Sequence, residues 1–282
     1  MPMFVIGTAS GRDISTMRDW AIAEGWDQGF HDHLAFAPAD PHGFLIGRLK
    51  GEPVACISAV RYGTDHGFIG YYIVLPEARG KGYGLSIFRS AMDHLSGRLV
   101  GLDSVPDQQD NYRTSGFRTA WENIRFAGRP SGAAPTSTDT EIVDAAAVPF
   151  ADLAAYDARF FPAPRDAFLS AWTMLPGHTA VAALHDGRVT GFGVIRPSTG
   201  PWRVGPLHAD SPGLAATVLA ALSETTGGDR LRIDVPETQT HFIRHLTTAG
   251  MTPISRNTRM YTGEPPAIDS TGIYGITNGE LG

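Results

Sequence analysis

The stretch that most constrains this chain is Gly67 to Leu95, GFIGYYIVLPEARGKGYGLSIFRSAMDHL. It opens with a hydrophobic, aromatic run, Phe68 to Val74, of strand-like composition. It turns at Leu75-Pro76 and passes through Arg79-Gly80-Lys81-Gly82-Tyr83-Gly84. From there Leu85, Phe88, Met92 and Leu95 recur three to four residues apart, which is a helix period. Strand, glycine-rich loop and helix start together make a phosphate cradle. Glycines let backbone N–H groups converge on one point, and the helix N-terminus adds roughly half a positive charge there. Arg79 and Lys81 place full charges beside it. A Walker loop would need a Gly-Lys-Ser/Thr ending, which is absent, and the order here is G-x-G-x-G rather than the dinucleotide fingerprint G-x-G-x-x-G.

With 282 residues, two domains of ordinary size are expected. A net charge of -6 and a pI near 5.9 argue against a nucleic-acid surface. No apolar run approaches the roughly 20 residues of a membrane helix. The start, Met1-Pro2-Met3-Phe4, carries no signal-peptide pattern, so a cytoplasmic protein is expected. The single cysteine, Cys56, lies in the strand-like run Val54 to Val60 and reads as a small buried side chain. No metal site is read.

In chain order, Phe4 to Ala9 is an opening strand, and Asp13 or Ser15 caps a helix running to about Glu24. The loop Trp26 to His33 is dense in aromatic, acidic and imidazole groups. It reads either as a loop leading to a helix capped by Asp32, or as an acceptor wall. In the second reading Asp27 attracts a cationic amine and Trp26 or Phe30 packs its carbon skeleton, with Tyr71 beside them. Phe44 to Leu49 and Val54 to Arg61 form a hairpin about Lys50-Gly51-Glu52. Leu99 to Val105 is a strand carrying Asp103, a short helix follows Pro106, and Gly116-Phe117 starts a strand reaching Phe126.

Arg79, Gly82 and Gly84 match the acetyl-CoA signature R/Q-x-x-G-x-G/A, after Val74-x-Pro76, and the chain therefore resembles the GNAT N-acetyltransferase superfamily. The element order agrees with that superfamily. The resemblance implies an α/β (α+β) fold in which the fourth and fifth strands splay to admit the pantetheine arm of acetyl-CoA. It implies cofactor contacts at Gly80, Lys81, Tyr83 and Leu85 as well as the signature residues. A backbone N–H near Ile73 or Val74 would polarise the thioester carbonyl. Tyr112, in Y-x-x-x-G-F, would protonate the departing thiolate. The superfamily's asparagine six residues earlier is replaced by Pro106.

Residues 127–139, AGRPSGAAPTSTD, read as a linker. Beyond it the chain repeats itself weakly: Asn123-x-Arg125 recurs as Asn257-x-Arg259, Gly116-Phe117 as Gly250-Met251, and Leu102-Asp103 as Ile233-Asp234. Phe160 to Arg165 and Gly205-Pro206-Leu207 resemble the C-terminal domain of bacterial tandem-GNAT proteins. The expected organisation is a catalytic domain at 1–128, a linker at 129–139, a degenerate GNAT-like domain at 140–262 and a tail at 263–282. The second copy lacks the loop chemistry in Trp202 to Pro212, and has Leu246 at the offset of Tyr112. It is expected to shape the acceptor pocket or support a homo-oligomer.

The expected activity is acetyl-CoA-dependent N-acetylation of a primary amine, on a small molecule or a peptide N-terminus, by direct attack. A non-catalytic acyl-CoA sensor is the alternative. The amine must lose a proton, which calls for a base. Asp103 is the first candidate, then His31 and Asp27; each can equally be a cap or a structural partner. Some multidomain GNAT acetyltransferases place a C-terminal carboxylate in the active site, which adds Glu280 or the Gly282 terminus. The tail reads otherwise as unstructured.

Overall fold

The computed structural model describes residues 3–131 and 140–282. The linker read at 129–139 falls largely outside the described residues. The first strand, β1 (Phe4–Thr8), leads to α1 (Gly11–Ala23), which is capped by Ser10 rather than by Asp13 or Ser15. Asp13 instead closes a capping box from the third helical position, its carboxylate accepting the Ser10 N–H at 2.8 Å. Asp32 caps no helix: a short 3-10 turn, Asp32–Ala35, runs into α2 (Phe36–Ala39), and Asp32 is drawn away to Arg196 at 2.9 Å.

The hairpin of β2 (Phe44–Leu49) and β3 (Glu52–Tyr62) turns at Lys50 and Gly51, both at positive φ. The organising run folds as β4 (His66–Val74), a loop, and α3 (Tyr83–His94). Helix α3 buries Ile87, Phe88 and Ala91, while Leu85 is 51% exposed at its first turn. The inward face is thus rotated from the one expected. Next come β5 (Leu99–Ser104), α4 (Gln109–Thr114) and β6 (Arg118–Gly128).

The second half repeats the pattern. It runs β7 (Glu141–Asp144), α5 (Phe150–Asp157), α6 (Asp166–Met174), β8 (Thr179–His185), β9 (Arg188–Arg196) and β10 (Trp202–Ala209). Then follow α7 (Pro212–Glu224), β11 (Leu231–Pro236), α8 (Thr240–Thr248), β12 (Thr252–Tyr261) and β13 (Ile273–Gly275).

Among the described residues the strands form one mixed sheet in the order β1-β2-β3-β4-β5-β12-β6-β11-β10-β9-β8-β7, with β13 on β10. The two halves have exchanged their last strands. Strand β6 pairs with β11, while β12 pairs with β5, and the two exchanged strands pair with each other in the middle. The internal repeat thereby becomes a set of reciprocal contacts. Arg259 grips Asp103 with two bonds of 2.7 and 2.9 Å, and Arg125 grips Asp234 with two of 2.6 and 2.8 Å. Asn123 faces Asn257 across the junction and donates to its Oδ1 at 3.0 Å. Arg259–Asp103 is buried and Arg125 is half-buried over a buried Asp234; bidentate bonding is the geometry in which such a pair offsets its desolvation.

The tail is structured, and from Gly272 onward it is almost entirely buried. From β13 it crosses the middle of the molecule to Gly282, with Leu281 fully buried. Its backbone is tied at each step: Asn278 Oδ1 accepts from the N–H of Glu280 and Leu281, Ser58 Oγ donates to Glu280 O at 3.2 Å, and Tyr62 Oη donates to Leu281 O at 2.9 Å. A sequence poor in apolar residues is held here by hydrogen bonds to both halves.

Candidate active site

Strands β4 and β5 are parallel and pair only from His66↔Leu99 to Ile69↔Leu102. Past that point both continue without pairing, so the sheet opens where the resemblance implies it should. A β-bulge in β4 accompanies the opening: Cys56 faces Ile73 and Ser58 faces Gly70, so Tyr71 and Tyr72 together oppose Ile57. Tyr71 sits at φ 45, a conformation that costs a non-glycine residue of order 1–3 kcal/mol. The bulge sends its ring inward against Phe36 and beside Trp26. Cys56 is buried behind it, its Sγ donating to Tyr71 O at 3.2 Å, and burial pushes the thiol pKa up.

The opening leads into a cleft of about 690 Å³ lined by Arg79, Val74, Tyr112, Trp26, Gln28 and Glu280, among others. At its outer end Gly80 and Gly82 have φ of 73 and 82, and Gly82 occupies the N-cap of α3 without a side-chain cap. The first helical backbone bond there is Ser86 N to Gly82 O at 3.0 Å, so the N–H groups of the first turn have no intrahelical acceptor. Gly84 leaves room for a neighbour: a Cβ would stand 2.8 Å from Tyr72 Oη and would displace it. Tyr83 stacks on Phe4, while Lys81 Nζ donates to Glu77 O at 2.6 Å. Arg79 donates to Val74 O at 2.8 Å and pairs with Glu24 at the cleft edge. This cradle fits a diphosphate: converging N–H donors, glycines at left-handed positions, and two cations.

The register separates Ile73 from Val74. Leu75 N–H bonds back to Val54 O, and antiparallel alternation sends the Ile73 N–H the same way, toward β3. The Val74 N–H faces the opening. Tyr112 lies against Phe88 and Phe117 and lines the cleft, with burial raising its pKa, so its hydroxyl keeps its proton at neutral pH.

The expected bases fare differently. Asp103 lines the cleft, but both its oxygens are held by Arg259 and it also accepts from Asn123 at 3.1 Å, contacts that tie β5 to β12 and β6. Asp27 is buried 2.5 Å from Arg232 and accepts from Ser198 Oγ at 2.9 Å, so the acceptor wall offers no free carboxylate there. His31 and Phe30 do not line the cleft; Phe30 is 47% exposed and His31 precedes the 3-10 turn. Trp26 and Tyr71 do line it.

A further carboxylate lining the cleft is Glu280, whose backbone lies against Gly70 just past the last β4–β5 pair. It is buried, and burial raises its pKa, opposed by Arg203, Gln28 and Arg125. Gln28 Nε2 donates to its Oε1 at 2.5 Å. Gln28 and Arg203 have no local sequence pattern to mark them, and Arg125 is marked in the sequence only as part of the repeat. Arg203 is buried, bonded to Asp27 O at 2.6 Å and Asp234 at 2.8 Å.

Among the described residues the corresponding opening in the second half is filled. Strands β10 and β11 also part, after Val204↔Ile233, but β13 pairs with β10 there and Ile276 N–H bonds to Asp234 O at 3.0 Å. A Cβ on Gly205 would stand 2.5 Å from Thr277 O, so the tail fills the gap. Helix α7 is closed as well: Pro212 opens it and Ser211 Oγ accepts from Leu214 N at 3.2 Å. Among the described residues no cluster suited to a metal ion occurs, and no helix is long and apolar enough to cross a membrane.

Comparison with known proteins agrees with the fold. A family model described as "Acetyltransferase (GNAT) family" matches residues 13–117, and one described as "Acetyltransferase (GNAT) domain" matches 153–275. The chain is 35% identical over 276 residues to holothin acyltransferase of Pseudoalteromonas sp. (strain SANK 73390), covering 97% of this chain and 93% of that one. A Pyrococcus horikoshii chain assigned as an acetyltransferase superposes with a TM-score of 0.81 at 22% identity, covering 99% and 96% of the two chains. A tandem GNAT protein from the clavulanic acid biosynthesis pathway gives 0.65 at 14% identity, covering 93% and 100%.

Proposed function

The chain belongs to the GNAT acetyltransferase family as a tandem member and is an acyltransferase. From that premise we propose that it transfers an acetyl group from acetyl-CoA to a primary amine, of a small molecule or a peptide N-terminus, by direct attack in a ternary complex. The observation that carries the reading is one cleft, opening where β4 and β5 part, that is lined by Arg79, Tyr112 and the buried Glu280 together.

Acetyl-CoA, when bound, supplies an activated thioester. The loop from Arg79 to Leu85 would hold its diphosphate through main-chain N–H groups, with Arg79 and Lys81 adding charge. The Val74 N–H would donate to the thioester oxygen as negative charge develops on it. Glu280 takes the proton from the acceptor ammonium, freeing the lone pair that forms the new C–N bond. A raised carboxylate pKa suits that exchange near neutral pH. Tyr112, kept protonated by burial, gives its proton to the sulfur as the C–S bond breaks. Because Asp27 is already paired, the cleft gives no special advantage to a polycationic acceptor.

The test combines calorimetry of coenzyme A binding with an amine-library screen read as free thiol, in wild type and Glu280→Gln. Binding with amine-dependent thiol release, lost in Glu280→Gln without loss of coenzyme A affinity, is expected. Binding with no thiol release from any amine would make the protein a sensor; absence of heat would remove the donor assignment.

A further inference from the structure

Three buried side chains join β4, the loop after α1 and the tail in one chain of hydrogen bonds. Tyr71 Oη donates to Gln28 Oε1 at 3.0 Å, and Gln28 Nε2 donates to Glu280 Oε1 at 2.5 Å. All three are nearly inaccessible: Tyr71 is 1%, Gln28 3% and Glu280 7% exposed. We propose that Gln28 and Tyr71 are the positioning residues of the reaction, a two-link relay that fixes the Glu280 carboxylate in its orientation and its charged form. The inference rests on Glu280 being the base.

The amide of Gln28 has two ends, and only one orientation serves. A hydroxyl donor at Oε1 leaves the N–H₂ to face the carboxylate, and Tyr71 supplies that donor. Tyr71 can do so because the bulge at φ 45 turns its ring inward, where Phe36 packs against it. A strained backbone angle at a tyrosine is thereby given a purpose. The backbone on either side of Gln28 is braced by the second half of the chain. Arg203 donates to Asp27 O, Thr199 N–H reaches Gln28 O at 3.4 Å, and Gly29 bridges to Ser198.

Other charges also act on Glu280. Arg203 and Arg125 favour its ionised form, Asp32 disfavours it, and burial outweighs them. Gln28 is the one that bonds to it directly. Removing the N–H donor therefore withdraws support from the charged form and moves the titration upward.

The experiment measures kcat against pH with the full chain, acetyl-CoA and an amine found by the acceptor screen. It compares wild type, Gln28→Met, Tyr71→Phe and Glu280→Gln. The amine's own titration is common to all four, so only differences between limbs are read. Gln28→Met keeps the volume and removes the donor; its acidic limb is expected to move up by about one pH unit, a tenfold loss on that limb. Tyr71→Phe keeps the ring and is expected to move the limb the same way by less. A packing role alone would lower the melting temperature and leave the limb in place.

A limb that stays put or moves down in Gln28→Met overturns the relay, and if that variant does not fold, the same result in Tyr71→Phe decides. Should Glu280→Gln retain the wild-type acidic limb, the base assignment itself fails. Should it abolish the limb while the other two leave it unmoved, the relay alone is wrong.

Discussion

Gly70 is the position where one methyl group bears directly on the proposed chemistry. It lies on β4 opposite Ser58, at the edge of the cleft, and its φ is not in the left-handed region, so alanine is acceptable to the backbone. The obstacle is the tail: a Cβ at residue 70 would stand 2.5 Å from Glu280 Cα and 2.8 Å from its carbonyl carbon. Carbon atoms rest about 3.5 Å apart, so the Glu280 backbone must retreat by about 1 Å. That retreat also stretches the 3.2 Å bond from Ser58 Oγ. Overpacking of this kind costs about 1–3 kcal/mol, or roughly 2–4 °C of melting temperature for each kcal/mol in a chain of this size. A catalytic group displaced by about 1 Å costs on the order of 100-fold in rate. Gly70→Ala is therefore expected to keep its fold and its coenzyme A affinity, because the loop at 79–85 is untouched, while kcat falls about 100-fold. Thiol release under saturating conditions, calorimetry and a melting curve check the three parts. A folded Gly70→Ala enzyme with wild-type kcat would refute the placement of Glu280 at the reacting centre.

Asp103→Asn leaves Arg259 buried without its partner and is expected to cost about 3–5 kcal/mol, read by denaturant unfolding, without moving the acidic limb of turnover. A moved limb at unchanged stability would restore Asp103 as the base. Burial lowers the pKa of His66 and His178 to about 4 and of His208 to about 3, so each binds its proton first in the unfolded chain. Their contribution is fully present above pH 6.5 and is lost as pH falls toward those values; melting temperatures should drop between pH 7 and 4, less steeply in His208→Gln.

What could be read from the sequence was whatever a short window encodes. The loop from Arg79 to Gly84, the hairpin about Lys50-Gly51 and the helix after Leu85 rest on turn chemistry and periodicity within a few residues. The repeat was legible too, through Asn123-x-Arg125 and Asn257-x-Arg259. Which half each last strand would join was not, because β6 and β12 carry the same local pattern, Asn-x-Arg, and nothing within it names the partner strand. Asp103 looked free for the same reason, since its arginine arrives from 156 residues away. The tail lacked apolar periodicity because it is held by side-chain caps and backbone bonds. Glu280 therefore entered only by analogy with other multidomain members, and Gln28 not at all.

The exchange of the last strands binds the fate of the two copies. A gene shortened to the first half would lose β12, which lies between β5 and β6 here, together with the segment that brings Glu280 to the cleft. The last strand of each copy is built into the sheet of the other, so removing either copy takes a strand from its neighbour.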